Sequence, residues 1–136
     1  MIVRSEQRII IVRKRKPQES SINDELLWLG DSLGLFNLRD RDKSKFRVFI
    51  ELIKSAKRNI PLSSDELASR LQLSRGTVVH HINQLIESGI VVHEGRKYLL
   101  RVKDLSTLVE EMKKDLVRTL DDLKEIAGEI DKRLGL

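Results

Sequence analysis

No cysteine occurs among the 136 residues, so disulfides and thiolate metal sites are excluded, and nothing argues for an oxidising compartment. Aromatic residues make up only 4% of the chain, which leaves Leu, Ile and Val to build the core. No apolar run approaches the ~18–20 residues of a membrane span. The apolar piece Ile9–Val12 is too short for a secretory leader, and no small-residue cleavage site accompanies it. The expected location is the cytoplasm, with no membrane partner. No glycine loop of the phosphate-cradling kind is present, and no Ser–His–Asp or paired-carboxylate spacing can be argued. An enzyme reading has no support, and no cofactor is expected. His80 and His81 are neighbours on a helix and diverge by about 100°, so they cannot chelate one ion together. No metal site is expected.

What is present is charge. The formal net charge is +5, and its distribution is uneven. Residues 1–18 hold six basic side chains against Glu6 alone, whereas residues 104–136 hold six basic and nine acidic ones. A basic head and a mildly acidic tail suggest that the two ends meet different partners. Residues 7–16 read as a strand or an arm that Pro17 ends, with a disordered basic tail as the bland alternative. The run Arg13, Lys14, Arg15, Lys16 is a candidate phosphate-binding arm.

The length suits one compact domain with a modest core. Ser21 can start a helix within Ile22–Leu38, which Gly30 and Gly34 weaken, so a broken helix or a helix plus turn is expected. Arg39–Lys43 is a charged connection. Asp42 or Ser44 can cap a helix that runs to about Arg58, with Phe46, Phe49, Ile50 and Ile53 on its inner face. Asn59 and Pro61 end it.

The segment Ser63–Arg101, SSDELASRLQLSRGTVVHHINQLIESGIVVHEGRKYLLR, is the most specific. Ser63 and Glu66 form a capping box for a short helix with Leu67, Ala68 and Leu71 inward. Gln72 and Leu73 make a turn, and Ser74 caps a second helix that ends near Gly89, a natural C′ residue. Two β-rich pieces, Ile90–Val92 and Tyr98–Val102, flank a glycine-containing basic tip. Two helices joined by a tight turn and followed by a hairpin spell a helix-turn-helix with a wing.

On the second helix, Val78, Ile82, Leu85 and Ile86 point inward, with His81 as a half-buried packing residue. The opposite side carries Ser74, Arg75, Gly76, Thr77, His80, Asn83 and Gln84. Asn and Gln can pair bidentately with adenine, and Arg75 can reach a phosphate or a guanine edge. Gly76 lets the helix N-terminus, with its free amides, approach a phosphate backbone. Glu87 is the one acid on this side. The alternative is a solvated polar face, but such faces usually carry Lys–Glu pairs, and an early glycine costs about 1 kcal/mol of helix propensity. At the wing tip, Gly95, Arg96 and Lys97 suit a phosphate clamp.

Asp104 can cap a last helix running to about Leu134. Val109, Leu116, Leu123 and Ile130 repeat every seven residues. Leu105, Met112 and Ile126 fall on the partnering row, which Thr119 and Arg133 interrupt, while Leu120, Ala127 and Leu134 widen the stripe. Such a repeat argues for a coiled-coil seam between two copies, with folding back onto the same subunit as the alternative. The expected fold class is thus mainly α with a small β wing, in three parts. Residues 1–20 are a basic arm or strand, 21–103 a winged helix-turn-helix and 104–136 a dimerisation helix.

The stretch LQLSRGTVVHHINQLIESGIV resembles the recognition segment of the ArsR-like winged-helix transcriptional regulators. GLFNLRDRDKSKFRVFIELI together with the long last helix is similar, more weakly, to an archaeal branch of them. The resemblance implies a homodimer on a palindromic double-stranded DNA operator, with Arg75, Thr77 and His80 lining the major groove. Metal sensing does not carry over, because this chain lacks the Cys pair and its last helix has no His. The competing class is a winged-helix protein–protein adaptor in a larger nucleic-acid-processing complex.

Overall fold

The computed structural model describes residues 6–18, 21–36, 40 and 42–136. Five helices and one hairpin follow in order: α1 (Ile22–Ser32), α2 (Ser44–Arg58), α3 (Ser64–Leu71), α4 (Arg75–Glu87), β1 (Val91–Glu94), β2 (Lys97–Leu100) and α5 (Leu105–Leu134). This is a mainly helical winged helix-turn-helix with a long final helix.

Local chemistry sets most boundaries. Ser21, Ser63, Ser74 and Asp104 each accept a hydrogen bond from the backbone amide three residues on, satisfying one orphan donor per helix start. α1 stops at Ser32, because Gly34 takes a positive φ of 70° and turns the chain. Leu38, the expected limit of this helix, lies outside the described residues. The cap of α2 departs from expectation. Lys43 precedes the helix with φ 53°, and the capping carboxylate is Asp40, which accepts from the Ser44 and Lys45 amides at 3.0 Å each. A residue four positions ahead can cap here because the left-handed Lys43 folds the chain back.

The core is aliphatic. Val48, Phe49 and Leu52 of α2 meet Leu67 of α3, Val78, Ile82 and Leu85 of α4, and Ile90 and Val91 at the wing, all buried. The inner face of α2 is rotated from the expected one, with Val48, Leu52 and Ala56 inside and Ile50 and Ile53 half-buried. Phe46 turns toward α1 instead. Its ring lies 4.9 Å from that of Phe36, and a Cβ on Gly30 would stand 2.6 Å from its ring carbons. The hairpin pairs Val91 with Leu100 and Glu94 with Lys97. Leu62 adds a single bridge to Tyr98, with bonds of 3.0 and 2.8 Å, so the stretch between α2 and α3 extends the wing by one residue of sheet.

The N-terminal segment is neither a strand nor a loose tail. Among the described residues it is an extended arm seated on two positive-φ glycines. Ile10 lies against Gly34 and the Gln7 amide lies against Gly89, and a Cβ at either glycine would collide with it. The Arg8 amide donates to Glu87 and the Val12 amide to Ser32, both at 2.8 Å.

α5 has two halves. Leu108 and Met112 are buried in the subunit's own core, and Leu105 packs against it. Met112, expected on the row facing a second copy, is thus taken up inside the chain's own core, and Leu105 is half-buried against it. Beyond Leu116 every apolar side chain is exposed, with Leu123 at 60% and Leu134 at 67%. The exposed stripe is Leu120, Leu123, Ala127, Ile130 and Leu134, at alternating spacings of three and four, continued inward by half-buried Leu116. Leu120, Ala127 and Leu134, expected only to widen the seam, are the residues that lie beside Leu123 and Ile130 on this exposed side. The physical reason is that the helix must turn one flank to its own domain, which rotates the unpartnered stripe off that flank. Ile126 borders it.

Asp115 sits on the docked flank and is buried. It accepts from Arg101 through both oxygens, from Arg118 and, at 2.9 Å, from Gln7. The Arg101 bonds hold its carboxyl far below the ordinary range, against the opposing effect of burial. A carboxylate stabilised in this way contributes its full effect above the unfolded aspartate's pKa of about 4 and loses it as pH falls below that value. His81 acts in a higher window. Burial pushes its pKa down, so the unfolded chain takes up a proton first as pH drops through about 6.5.

Urea denaturation should therefore show stability falling from pH 7 to 5 and falling further below 4. Asp115→Asn should flatten only the lower branch and cost about 2–3 kcal/mol at neutral pH, since it leaves a half-buried guanidinium without its anion. Gly89→Ala should destabilise by more than 1 kcal/mol, combining a left-handed φ with displacement of Gln7. Unfolding of each variant beside the wild type at neutral pH checks both, and a variant as stable as the wild type would refute its prediction.

Candidate nucleic-acid interface

α4 is positioned by its apolar flank and by a buried polar node. His81 Nε2 lies 2.6 Å from Ser44 Oγ, which in turn donates to Asp40 at 2.6 Å. Because the serine proton is given to Asp40, the ring must donate through Nε2, which leaves Nδ1 buried and without a hydrogen-bond partner. Sequence spacing gave no hint that Asp40, Ser44 and His81 meet. They are not a nucleophile triad, because the carboxylate grips the serine rather than orienting the imidazole, and both Ser44 and His81 are buried. The node ties the start of α2 to the middle of α4. At the turn between α3 and α4, Gln72 adopts φ 55°, and Arg47 donates to the Leu71 carbonyl at 2.6 Å.

With its inner side fixed, α4 presents the expected outer side. Arg75, Gly76, His80 and Asn83 are exposed, and Thr77 and Gln84 are half-buried. Among the described residues a Cβ on Gly76 would meet nothing within 4 Å, so none of their packing requires a glycine there. Ser74 is also exposed but is committed to the cap. Its hydroxyl accepts from the Thr77 amide at 3.1 Å and donates to the Thr77 hydroxyl at 2.7 Å. The Thr77 hydroxyl proton stays available.

The charges around this side are less simple than the helix alone suggests. Arg75 lies 3.4 Å from Asp65, and Lys97 lies 3.1 Å from Glu66. Both acids belong to the first turn of α3, which the sequence reading did not set beside α4 and the wing. The Lys97 bond lowers the Glu66 pKa, as do the Ser63 bonds of the capping box. Exposed pairs of this kind are worth about 0–1 kcal/mol, so either cation can exchange its carboxylate for a phosphate. Glu87, the acid at the far end, is paired with Arg8 of the arm at 3.5 Å.

The wing tip is a two-residue turn with φ 62° at Gly95, where a side chain would be strained. Arg96 is exposed and has no ion-pair partner among the described residues. Of the basic run in the arm, Lys14 pairs with Asp31 at 2.8 Å and its carbonyl accepts from the Trp28 indole. Arg13, Arg15 and Lys16 are exposed. The arm touches the C-terminal end of α4 at residues 7–8 and then runs along α1, so the run is not gathered with Arg75 and Gly76. Among the described residues no cluster of His, Asp or Glu could hold a metal ion, and no helix is long and apolar enough to cross a membrane.

The sequence reading missed Asp115, Arg101 and Gln7 as a group. Asp115 follows Leu108 and Met112 at helical spacing, an acid on an apolar flank. That was the one signal available. Its partners come from 108 and 14 positions away.

A family model for the Crp-like helix-turn-helix domain matches residues 34–111, more than half of the chain. No curated protein and no solved structure gave a significant match. The matched span runs from the start of α2's capping loop through the turn, α4 and the wing to the docked root of α5, which are the elements that build the exposed face described above. The chain belongs to the Crp-like helix-turn-helix domain family, and with it to the helix-turn-helix regulators that bind DNA.

Proposed function

We propose that the protein is a sequence-specific transcriptional regulator that binds a palindromic operator as a homodimer, with α4 in the major groove and the wing on the backbone. The observation that carries this reading is the outer side of α4, where an unrequired glycine at the helix start adjoins exposed Arg75, His80 and Asn83 and half-buried Thr77 and Gln84. A solvated helix gains nothing from Gly76. A helix whose first turn must come against a sugar–phosphate ridge does, because its free amides and positive dipole end then meet the phosphate directly. Arg75 and His80 read base edges, Asn83 and Gln84 lie further along the groove, and Arg96 holds a phosphate. Lys97 contributes once it leaves Glu66. Arg13, Arg15 and Lys16 add sequence-independent attraction.

The free half of α5 supports the dimer. Residues 117–134 have no buried side chain, and an isolated helix of this length is only marginally stable in water. Covering its leucines and isoleucines with a second copy would stabilise it by about 1.5–3 kcal/mol for each side chain fully buried. Within the helix-turn-helix regulators our finer reading is an ArsR-like placing, on the residues around α4, and an archaeal one, on the segment GLFNLRDRDKSKFRVFIELI with the long last helix. A cytoplasmic location follows from the DNA partner.

Sites selected from random duplexes by the wild-type protein provide the assay. Arg75→Ala and His80→Ala should each weaken the selected site by about tenfold or more and random duplex much less. Arg96→Ala should weaken both equally and flatten the salt dependence. Equal losses from all three variants would remove α4 from the groove, and an absence of salt-dependent binding would favour the adaptor role. Gly76→Ala should stabilise the fold by about 0.5–1 kcal/mol and yet weaken DNA binding. Leu123→Glu with Ile130→Glu should give a folded monomer in sedimentation, because neither side chain belongs to the subunit core.

A further inference from the structure

Three groups that the reading of α4 does not use converge on one carboxylate. Gln7 Nε2 donates both to the Ser88 carbonyl, at the C-cap of α4, and to Asp115 on α5, at 3.2 and 2.9 Å. It therefore bridges the reading helix to the long helix. Arg101, just past β2, binds Asp115 through both nitrogens of its fork and lies 3.7 Å from Glu111. Its own amide donates to Ile90 at 2.9 Å, where the chain leaves α4 for the wing. Arg118 closes the network from the next turn of α5. Gly89 makes room for the Gln7 side chain, so the seat is built into the backbone.

The apolar contact of α5 with its own domain is small, essentially Leu105, Leu108 and Met112. Aliphatic contacts of that kind resist separation but not rotation about the helix axis. A bidentate guanidinium–carboxylate pair with a third donor from another direction is directional. It fixes both the azimuth and the tilt of α5 against α4.

We infer that Asp115, held by Arg101 and Gln7, is a positioning residue that sets the spacing between the two half-sites the dimer accepts. The inference rests on the homodimer reading above. In a dimer joined through the free half of α5, the separation and phase of the two α4 helices depend on the angle at which each α5 leaves its domain. A DNA turn takes about 10.5 base pairs, so two added base pairs rotate one half-site by about 70°. A rigid root rejects that change, and a loose one follows it.

The test uses full-length protein and duplexes carrying two copies of the half-site that the wild type selects, with spacers lengthened one base pair at a time over a helical turn. The wild type should show a sharp optimum, losing about tenfold or more in affinity two base pairs away. Asp115→Asn and Gln7→Ala should each reduce that contrast to about threefold or less and should bind a duplex with a single half-site as the wild type does. Gln7 lies on the exposed arm, so Gln7→Ala carries the test if Asp115→Asn fails to melt cooperatively. Variants that are folded and dimeric and keep the wild-type spacing profile would overturn the inference. So would a wild type indifferent to spacing, or a loss spread evenly over all spacers and the single half-site. A wild type that selects no sequence would sink the DNA-binding reading itself, and this inference with it.

Discussion

A carboxylate taken out of water must find its counter-charges or lose its proton, and the position of Asp115 turns that constraint into architecture. Its partners come from the arm, from the end of the wing and from the next turn of its own helix. Two of these donors are fixed by something else: Gln7 by the C-cap of α4, and Arg101 by the backbone bond at Ile90. Satisfying one buried charge therefore sets the relative placement of the elements that face outward. The aliphatic core beneath could tolerate small rotations of α5, but the directional bonds do not.

A second polar node works in the same way on the other flank of α4. Asp40, Ser44 and His81 join the start of α2 to the middle of α4, and Arg47 ties α2 to the end of α3. With few aromatics to interlock, the helices are packed by Leu, Ile and Val and aligned by these hydrogen bonds. The outer side of α4 is free for a ligand because alignment is done entirely from its inner and C-terminal sides. Even Glu87, the one acid on that helix, is taken up by Arg8 of the arm.

The legible part of the sequence was local. Ser63 with Glu66, Ser74 with Thr77 three residues on, and Gly89 after the last inward residue carry their meaning within four positions, so the helix starts and the turn could be read directly. The inward faces of α3 and α4 followed from helical period. The outer residues of α4 then followed by elimination, which made the candidate interface readable before any coordinates. The α2 face was misread by a fraction of a turn, because Phe46 is drawn to the space over Gly30 and Phe36, a contact between elements that no period reports.

The chain by itself thus determined its helices, its wing and which side of α4 is polar, since caps, turns and amphipathic period act over a single turn of backbone. Tertiary structure alone decided the rest. It docked the arm on Gly34 and Gly89, placed Asp65 and Glu66 beside the basic face, and assigned one flank of α5 to its own core. It thereby left Leu120, Leu123, Ala127, Ile130 and Leu134 as the open stripe. A repeat of seven states that a helix has an apolar seam; which flank is already occupied depends on the angle at which the rest of the chain meets it.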